Sequence, residues 1–129
     1  MPLASGNFDV RIAPLEVHDA APDGLARMSI DKDFAGDIVG VSHGEMLATG
    51  GPGSDAAAYV ALEFVEARVH GRGGTFWLQH KATMLKGEGH LDITVVAGSA
   101  SDELVGMSGS MTIDPANNHA YEFDYLLPE

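Results

Sequence analysis

Seven side chains able to transfer protons or donate hydrogen bonds occur where the alternation of polar and apolar residues predicts the apolar face of a strand. A carboxylate or imidazole there can exchange a proton with a bound molecule, and an ammonium or a phenol can polarise a carbonyl group. Because a polar group is costly to bury without a partner, these side chains must bond to one another or line a wet cavity. They are Lys32, Tyr59, Glu63, His80, His119, Tyr121 and Tyr125.

Two interpretations of this set follow from the residue types. In the first, Lys32 and Glu63 form a hydrogen-bonded pair, and the His and Tyr tips bond to backbone or water. In the second, the groups line a pocket in which Glu63, His80 and Tyr125 act as catalytic residues and an aromatic row holds an apolar skeleton. The residues then expected to contact the ligand are Lys32, Met46, Tyr59, Phe76, Leu78, Met107, His119, Tyr121 and Phe123.

Several other kinds of site are excluded or disfavoured. No cysteine occurs, so disulfides, thiolate nucleophiles and cysteine metal sites are excluded. None of the six histidines has His-x-His, His-x-x-x-His or His-Glu-x-x-His spacing, and we expect no metal ion and no cofactor. Gly106-Met107-Ser108-Gly109 lacks the spacing of a nucleophile elbow. Residues 71–74 are explained by a tight hairpin turn rather than by a phosphate-binding loop.

The strand that carries His80 is one of eight predicted strands, joined mainly by short turns, and no segment shows a helical apolar period. Eight antiparallel strands favour closure, because an open sheet leaves two edges exposed. We therefore predict an all-β fold, a closed eight-stranded antiparallel β-barrel whose interior holds side chains or one small ligand. The predicted strands are 8–12, 26–34, 38–47, 56–69, 74–84, 91–96, 105–113 and 119–125.

Two local details of this barrel bear on the candidate pocket. In strand 56–69 we favour the row of smaller residues, with Tyr59 and Glu63, as the inward face, although the opposite choice is nearly as good. Residues 49–55 consist of turn-forming residues, and we expect them to form an exposed loop bordering the mouth of a pocket.

Composition limits the partners. The 129 residues fit a single domain, residues 1–129, with enough apolar content for a core. Seven basic and nineteen acidic residues give a net charge of −12, which disfavours nucleic acid as a partner. No apolar run is long enough to span a membrane and no signal peptide is recognisable, so we expect a cytoplasmic, bacterial-type protein without a membrane partner. Apolar residues on both faces of strand 59–69 suggest a homo-oligomer, with a dimer favoured.

Seven segments, in this order and at this spacing, resemble the bacterial domain-of-unknown-function family 3224 over nearly the whole chain. The resemblance implies a calycin-like barrel similar to that of allene oxide cyclase. It implies no established activity, and no catalytic motif of the related plant and bacterial cyclases occurs here. The segments are MSIDKDF (28–34), GDIVG (36–40), GEML (44–47), YVALE (59–63), LQH (78–80), TM (83–84) and HAYEFDY (119–125).

The leading functional hypothesis is a barrel that binds a small apolar or amphipathic molecule in its interior. Isomerisation or cyclisation without a cofactor is the chemistry that the related barrels suggest, because they position a reactive apolar substrate in a shaped cavity. The alternative is a non-catalytic carrier or sensing module. An enzyme should place Glu63 and His80 within reach of one point in a cavity, whereas a carrier should have an apolar cavity whose polar groups are mutually satisfied.

Overall fold

Eight antiparallel strands form a closed barrel in the computed structural model, which describes residues 2–50 and 54–128. Each strand pairs with the next along the chain, and β1 pairs with β8 to close the sheet. The predicted all-β closed barrel is confirmed; its likeness to allene oxide cyclase stays a prediction. The strands are β1 Leu3–Leu15, β2 Ala26–Gly36, β3 Ile38–Thr49, β4 Ala56–Val69, β5 Arg72–Leu85, β6 Glu88–Val95, β7 Ser108–Asp114 and β8 Ala120–Leu126.

The inward row of β4 is the one favoured from the sequence. Ala61, Glu63, Val65, Ala67 and Val69 are all buried, while the residues between them are exposed or half-buried. Because side chains alternate strictly along a strand, this choice fixes the inward rows of β3 and β5 through their register with β4.

One end of the barrel, which we call the packed end, is filled by side chains. Phe76 and Phe123 stack with ring centroids 5.8 Å apart, and Phe34 meets Tyr121 edge to face at 5.6 Å. A short 3₁₀ turn, Asp102–Leu104, brings the fully buried Leu104 against this cluster. Aromatic rings and a loop residue therefore leave little free space at the packed end.

The opposite end, which we call the open end, has a different lining. Register places Ala26, Ala48, Tyr59, Ala82 and Leu91 in one ring around the interior. Three of these five residues are alanines, whose methyl groups do not reach the barrel axis. Residues 51–53 of the loop expected at a pocket mouth lie outside the described residues.

Three local predictions are wrong, and all three concern turns. His119, predicted as the first residue of the last strand, lies in the turn before β8 with a φ of 51°. The β4–β5 turn consists of His70 and Gly71, which both have positive φ as a two-residue hairpin turn requires, so Arg72 already belongs to β5. Strand β7 begins at Ser108 rather than at residue 105. The preceding 3₁₀ turn buries Leu104 and leaves Val105 60% exposed, so the strand alternation starts later.

Within residues 2–50 and 54–128, no helix has the length and apolar character needed to cross a lipid bilayer.

Candidate functional site

The carboxylate of Glu63 lies at the centre of a buried polar network in the barrel interior. Lys32 Nζ donates to Glu63 Oε1 at 3.1 Å, and His80 Nε2 lies 2.7 Å from the same oxygen. Ser42 donates its hydroxyl to the other oxygen, Oε2, at 2.5 Å. All four side chains are buried, and Glu63 is fully so. The Lys32–Glu63 pair expected under the first interpretation is confirmed.

Four consecutive strands supply these four side chains. Lys32 on β2 is the register partner of Ser42 on β3, and Gly44 on β3 is the partner of Glu63 on β4. A Cβ at Gly44 would lie 2.2 Å from the Leu62 carbonyl oxygen and 2.8 Å from the Glu63 Cα. Since real Cβ atoms do not approach so closely, glycine at position 44 permits the β3 backbone to pack against β4 beside the carboxylate.

Electrostatics keep Glu63 ionised. Burial alone raises its pKa, but the hydrogen bond from His80, the charge of Lys32 and the hydrogen bond from Ser42 together outweigh burial and lower the pKa from 4.5 to about 2. Lys32 is further stabilised by the Phe8 ring, whose centroid lies 4.4 Å from Nζ. The pair is therefore an ammonium and a carboxylate enclosed by protein donors instead of water.

His80 retains one ring nitrogen that the network does not use. Its Nε2 faces Glu63, and in the described part of the chain Nδ1 has no hydrogen-bond partner. Every fully enclosed side-chain nitrogen and oxygen of the described residues does have a partner, so Nδ1 lies in solvent-accessible space. His80 belongs to an inward row, but it is only 4% exposed and is not among the residues that line the cavity at the open end.

An apolar cavity of about 600 Å³ opens at the open end. Tyr59 lies on its wall and is half-buried, and its hydroxyl has no partner among residues 2–50 and 54–128. Burial raises the pKa of Tyr59, and the nearby Glu63 charge raises it further, so the phenol stays protonated. The lining consists of Ala26, Met28, Ala48, Thr49, Gly50, Ala57, Ala58, Tyr59, Ala82, Thr83, Met84, Gly89, His90 and Leu91.

Glu63 and His80, two of the three predicted catalytic residues, are in direct contact, but Tyr125 is not with them. Its hydroxyl lies 2.5 Å from Nδ1 of His70 in the turn at the packed end. The Asp37 carboxylate lies 3.5 Å from the other nitrogen of His70. Tyr125 therefore belongs to a separate Asp–His–Tyr cluster, and the catalytic role assigned to it stays a prediction without support from proximity.

The predicted ligand-contacting residues divide between the two ends. Lys32 is engaged with Glu63, and His119 stacks on Phe8 at 5.2 Å. Tyr59 lines the cavity, and the half-buried Met46 pairs with Met28, which also lines it. The members that lie instead in the packed core are Phe76, Leu78, Met107, Tyr121 and Phe123.

Sequence reasoning missed Ser42 and His90. Ser42 lies between Gly40 and Gly44 on the inward row of β3, so no apolar side chain next to it on that row marks its face as buried. The available signal was that a polar residue on an inward row needs a partner, and Glu63 was the nearest inward carboxylate. His90 is exposed, and nothing in its alternation marks it as a cavity residue.

Among residues 2–50 and 54–128, no three His, Asp or Glu side chains are grouped so that they could hold a metal ion.

Comparison with known proteins places the chain in a family. Residues 4–125 match the family model described as "Protein of unknown function (DUF3224)". No curated protein matches the chain. A crystal structure of a protein with unknown function from the DUF3224 family of Shewanella oneidensis MR-1 is 37% identical and superposes with a TM-score of 0.91, covering 100% of this chain and 98% of that one. The chain thus belongs to the DUF3224 family.

Proposed function

We propose that the barrel binds one small apolar or amphipathic molecule in the cavity at its open end. The observation that carries the proposal is the cavity itself, about 600 Å³ and lined mainly by Ala, Met and Leu side chains. This volume lies inside the range of about 300–1,000 Å³ typical of small-molecule sites, which are concave and mostly apolar. Transfer of an apolar molecule from water into this cavity would be favourable, because it removes apolar surface from water.

The contrast between the two ends supports this proposal. Phe76, Tyr121 and Phe123 fill the packed end, whereas the ring that contains Ala26, Ala48 and Ala82 leaves the other end open. A barrel that needed only stability would gain from larger apolar residues at those alanines, because filled interiors favour the folded state. The small residues are instead consistent with space kept for a ligand.

The polar network supports binding without chemistry as the primary function. Both oxygens of Glu63 are already occupied by protein donors, so this carboxylate is not free to act as a base. A carboxylate fully satisfied by protein donors is expected of a carrier or sensing module, and the interior groups that have no partner in the described part of the chain, the Tyr59 hydroxyl and His80 Nδ1, are then free to bind a ligand.

A second candidate function, cofactor-independent isomerisation or cyclisation, is favoured by one observation. Glu63 orients His80 through Nε2, while Nδ1 is unpaired toward the interior, an arrangement suited to a general base. Such a base should accelerate deuterium exchange at the acidic carbon of an apolar ketone such as 2-tetralone, followed by NMR. His80→Gln should abolish the acceleration, and an unaccelerated wild-type reaction would remove this candidate.

The binding function is tested with the neutral fluorescent probe N-phenyl-1-naphthylamine and by native mass spectrometry for copurified small molecules. We expect the wild-type protein to bind the probe at one site, and Ala82→Phe, which fills the cavity, to bind it at least about tenfold more weakly. The matched control is Ala13→Phe on the exposed outer face of β1. Absence of probe binding, or equal binding by Ala82→Phe, would contradict the proposal.

A further inference from the structure

His80 presents a hydrogen-bond acceptor to the interior. An ionised carboxylate can only accept hydrogen bonds, so the ring nitrogen facing Glu63 at 2.7 Å carries the proton. In the neutral ring, the other nitrogen, Nδ1, then holds a lone pair. This nitrogen has no partner within the described part of the chain and is not fully enclosed. His80 does not itself line the cavity, but it is the next inward residue beyond Ala82, which does, so a ligand hydroxyl that extends past the level of Ala82 would meet this nitrogen.

Tyr59 presents a second hydrogen-bonding group close to this acceptor. Tyr59 pairs across the strands with Ala82, and His80 is the next inward residue along β5. Diagonal neighbours of this kind have their Cβ atoms about 7–8 Å apart, which is within reach of aromatic side chains. The phenol can therefore donate a hydrogen bond to a ligand oxygen that itself donates to His80 Nδ1.

No charged side chain compensates an ionic ligand in this cavity. The described lining residues include no Lys, Arg, Asp or Glu. Lys32, a cation on an inward row, is paired with Glu63 at 3.1 Å. A carboxylate or phosphate placed here would be desolvated without a counter-charge and would lie near the Glu63 carboxylate, which costs several kcal/mol.

Resting on the proposed binding function, we infer that the ligand is an uncharged apolar molecule with a hydroxyl group, a phenol or an alcohol rather than a carboxylic acid. The hydroxyl donates to His80 Nδ1 and accepts from the Tyr59 hydroxyl, while the apolar body contacts the Ala, Met and Leu wall.

The test compares three probes of one skeleton, 2-naphthol, 2-naphthoic acid and naphthalene, by calorimetric or NMR titration near pH 7.5. We expect 2-naphthol to bind at least about tenfold more tightly than 2-naphthoate, because one good hydrogen bond and an avoided charge penalty favour it. Tyr59→Phe should weaken 2-naphthol binding about three- to tenfold and leave naphthalene binding unchanged. The control is Thr112→Val, which removes an exposed hydroxyl from β7.

The outcomes separate the two proposals. If none of the three probes binds, the binding function itself fails. If naphthalene binds but 2-naphthoate binds as tightly as 2-naphthol, the binding function stands and the assignment of a neutral hydroxyl ligand is wrong. If Tyr59→Phe leaves the preference for 2-naphthol unchanged, the assignment is likewise contradicted.

An independent observation concerns the outer surface of β3, β4 and β5. Leu47, Val60 and Leu62 are 45%, 54% and 52% exposed and lie side by side through the β3–β4 register. They line a concavity of about 710 Å³, whose other lining residues are Arg27, Glu45, Ala61, Gln79, His80 and Lys81. We call these three apolar residues, together with Gln79 of β5, the β3–β5 patch. Clustered exposed apolar residues with a polar rim are typical of association surfaces.

Charge identifies a second copy of this chain as the occupant. Two molecules of charge −12 repel each other, and β7 and β8 carry Asp114, Glu122 and Asp124 with no cation. The patch differs because its rim has both signs, including Lys81 and the Arg27–Glu45 ion pair of 2.7 Å. In a two-fold symmetric dimer the same rim of both copies faces its counterpart. A rim that carries both positive and negative side chains can therefore form ion pairs with its own copy. We propose a homodimer through the β3–β5 patch.

Sedimentation equilibrium tests the dimer. We expect the wild-type protein to be dimeric at micromolar concentration and Leu62→Glu to be monomeric with unchanged circular dichroism, because position 62 is exposed in the isolated chain. Leu126→Glu, at a 49% exposed leucine on β8, should remain dimeric. A monomeric wild type, or a dimer that persists in both Leu62→Glu and Val60→Glu, would overturn the proposal.

Discussion

His80 and Lys32 meet the same oxygen atom. Nε2 of His80 lies 2.7 Å and Nζ of Lys32 lies 3.1 Å from Oε1 of Glu63, while the Ser42 hydroxyl takes Oε2. The carboxylate is therefore solvated by three protein donors from three other strands. Because these donors replace water, the network both holds β2 to β5 together at the centre of the barrel and fixes the orientation of the imidazole.

Removing the charge of Glu63 should destabilise the barrel strongly. In Glu63→Gln, the buried ammonium of Lys32 loses its counter-charge, and breaking one partner of a buried pair typically costs about 3–5 kcal/mol. Urea unfolding at pH 7 measures the loss. The matched control is Glu66→Gln, an exposed position on the same strand, which should change the free energy of unfolding by less than about 0.5 kcal/mol.

A double substitution tests whether the cost comes from the unpaired ammonium. Lys32→Met combined with Glu63→Gln removes both charges, so the double variant should be more stable than Glu63→Gln alone. A double variant as unstable as the sum of the two single variants would contradict the proposed coupling.

The Glu63 network should also give acid sensitivity. The pKa of Glu63 is lowered from 4.5 to about 2, so between these values the unfolded chain binds a proton that the folded chain does not. The stabilisation is therefore complete above about pH 4.5 and is lost as the pH falls toward 2, and it amounts to about 3 kcal/mol. Urea unfolding of wild type and Glu63→Gln from pH 6 to pH 2.5 measures it. The difference between them should shrink as the pH falls, and a constant difference would contradict this account.

The barrel and the Lys32–Glu63 pair were predictable because alternation shows which face of a strand is buried. A buried lysine and a buried carboxylate on inward rows each require a partner, and the pairing follows from that requirement. The same rule identified His80 as a member of the interior polar set. These predictions depend only on side-chain direction, which has a period of two residues.

Alternation does not show how far along the barrel axis a residue lies. Tyr125 and Glu63 both point inward, but Tyr125 pairs with Gly109 and lies at the packed end, whereas Glu63 pairs with Gly44 near the middle. That height is set by strand register, which depends on turn geometry such as that of His70 and Gly71. The sequence pattern predicts this turn at the wrong residues, so it does not predict which inward residues lie at the packed end and which lie at the open end.

Two buried tyrosine hydroxyls at the packed end should differ in their contribution to stability. The Tyr121 hydroxyl accepts from the Ile38 N–H at 2.9 Å and donates to the Ala35 carbonyl at 2.8 Å. Tyr121→Phe leaves a buried backbone donor without this partner and should cost about 2–3 kcal/mol. Tyr125→Phe loses a bond to His70, whose side chain is 39% exposed and can bond to water, and should cost about 1 kcal/mol or less.

Thermal and urea unfolding of the two variants measures this difference, and each substitution serves as the control for the other because both remove one oxygen atom. Equal losses of stability, or a larger loss in Tyr125→Phe, would contradict the assignment of the Ile38 N–H to Tyr121.

Close packing of β3 on β4 beside the network makes Gly44 sensitive to a single methyl group. An added Cβ would lie 2.2 Å from the Leu62 carbonyl oxygen, a backbone atom that can move only if β3 separates from β4. Gly44→Ala should therefore cost about 3 kcal/mol or more in the free energy of unfolding. Gly89→Ala, where the nearest contact of an added Cβ is 3.8 Å, is the matched strand control and should be neutral or slightly stabilising.

Because β3 also supplies Ser42, we expect the pH dependence attributed to Glu63 to be smaller in Gly44→Ala than in Gly89→Ala, and an unchanged pH dependence would show that the two strands separate elsewhere.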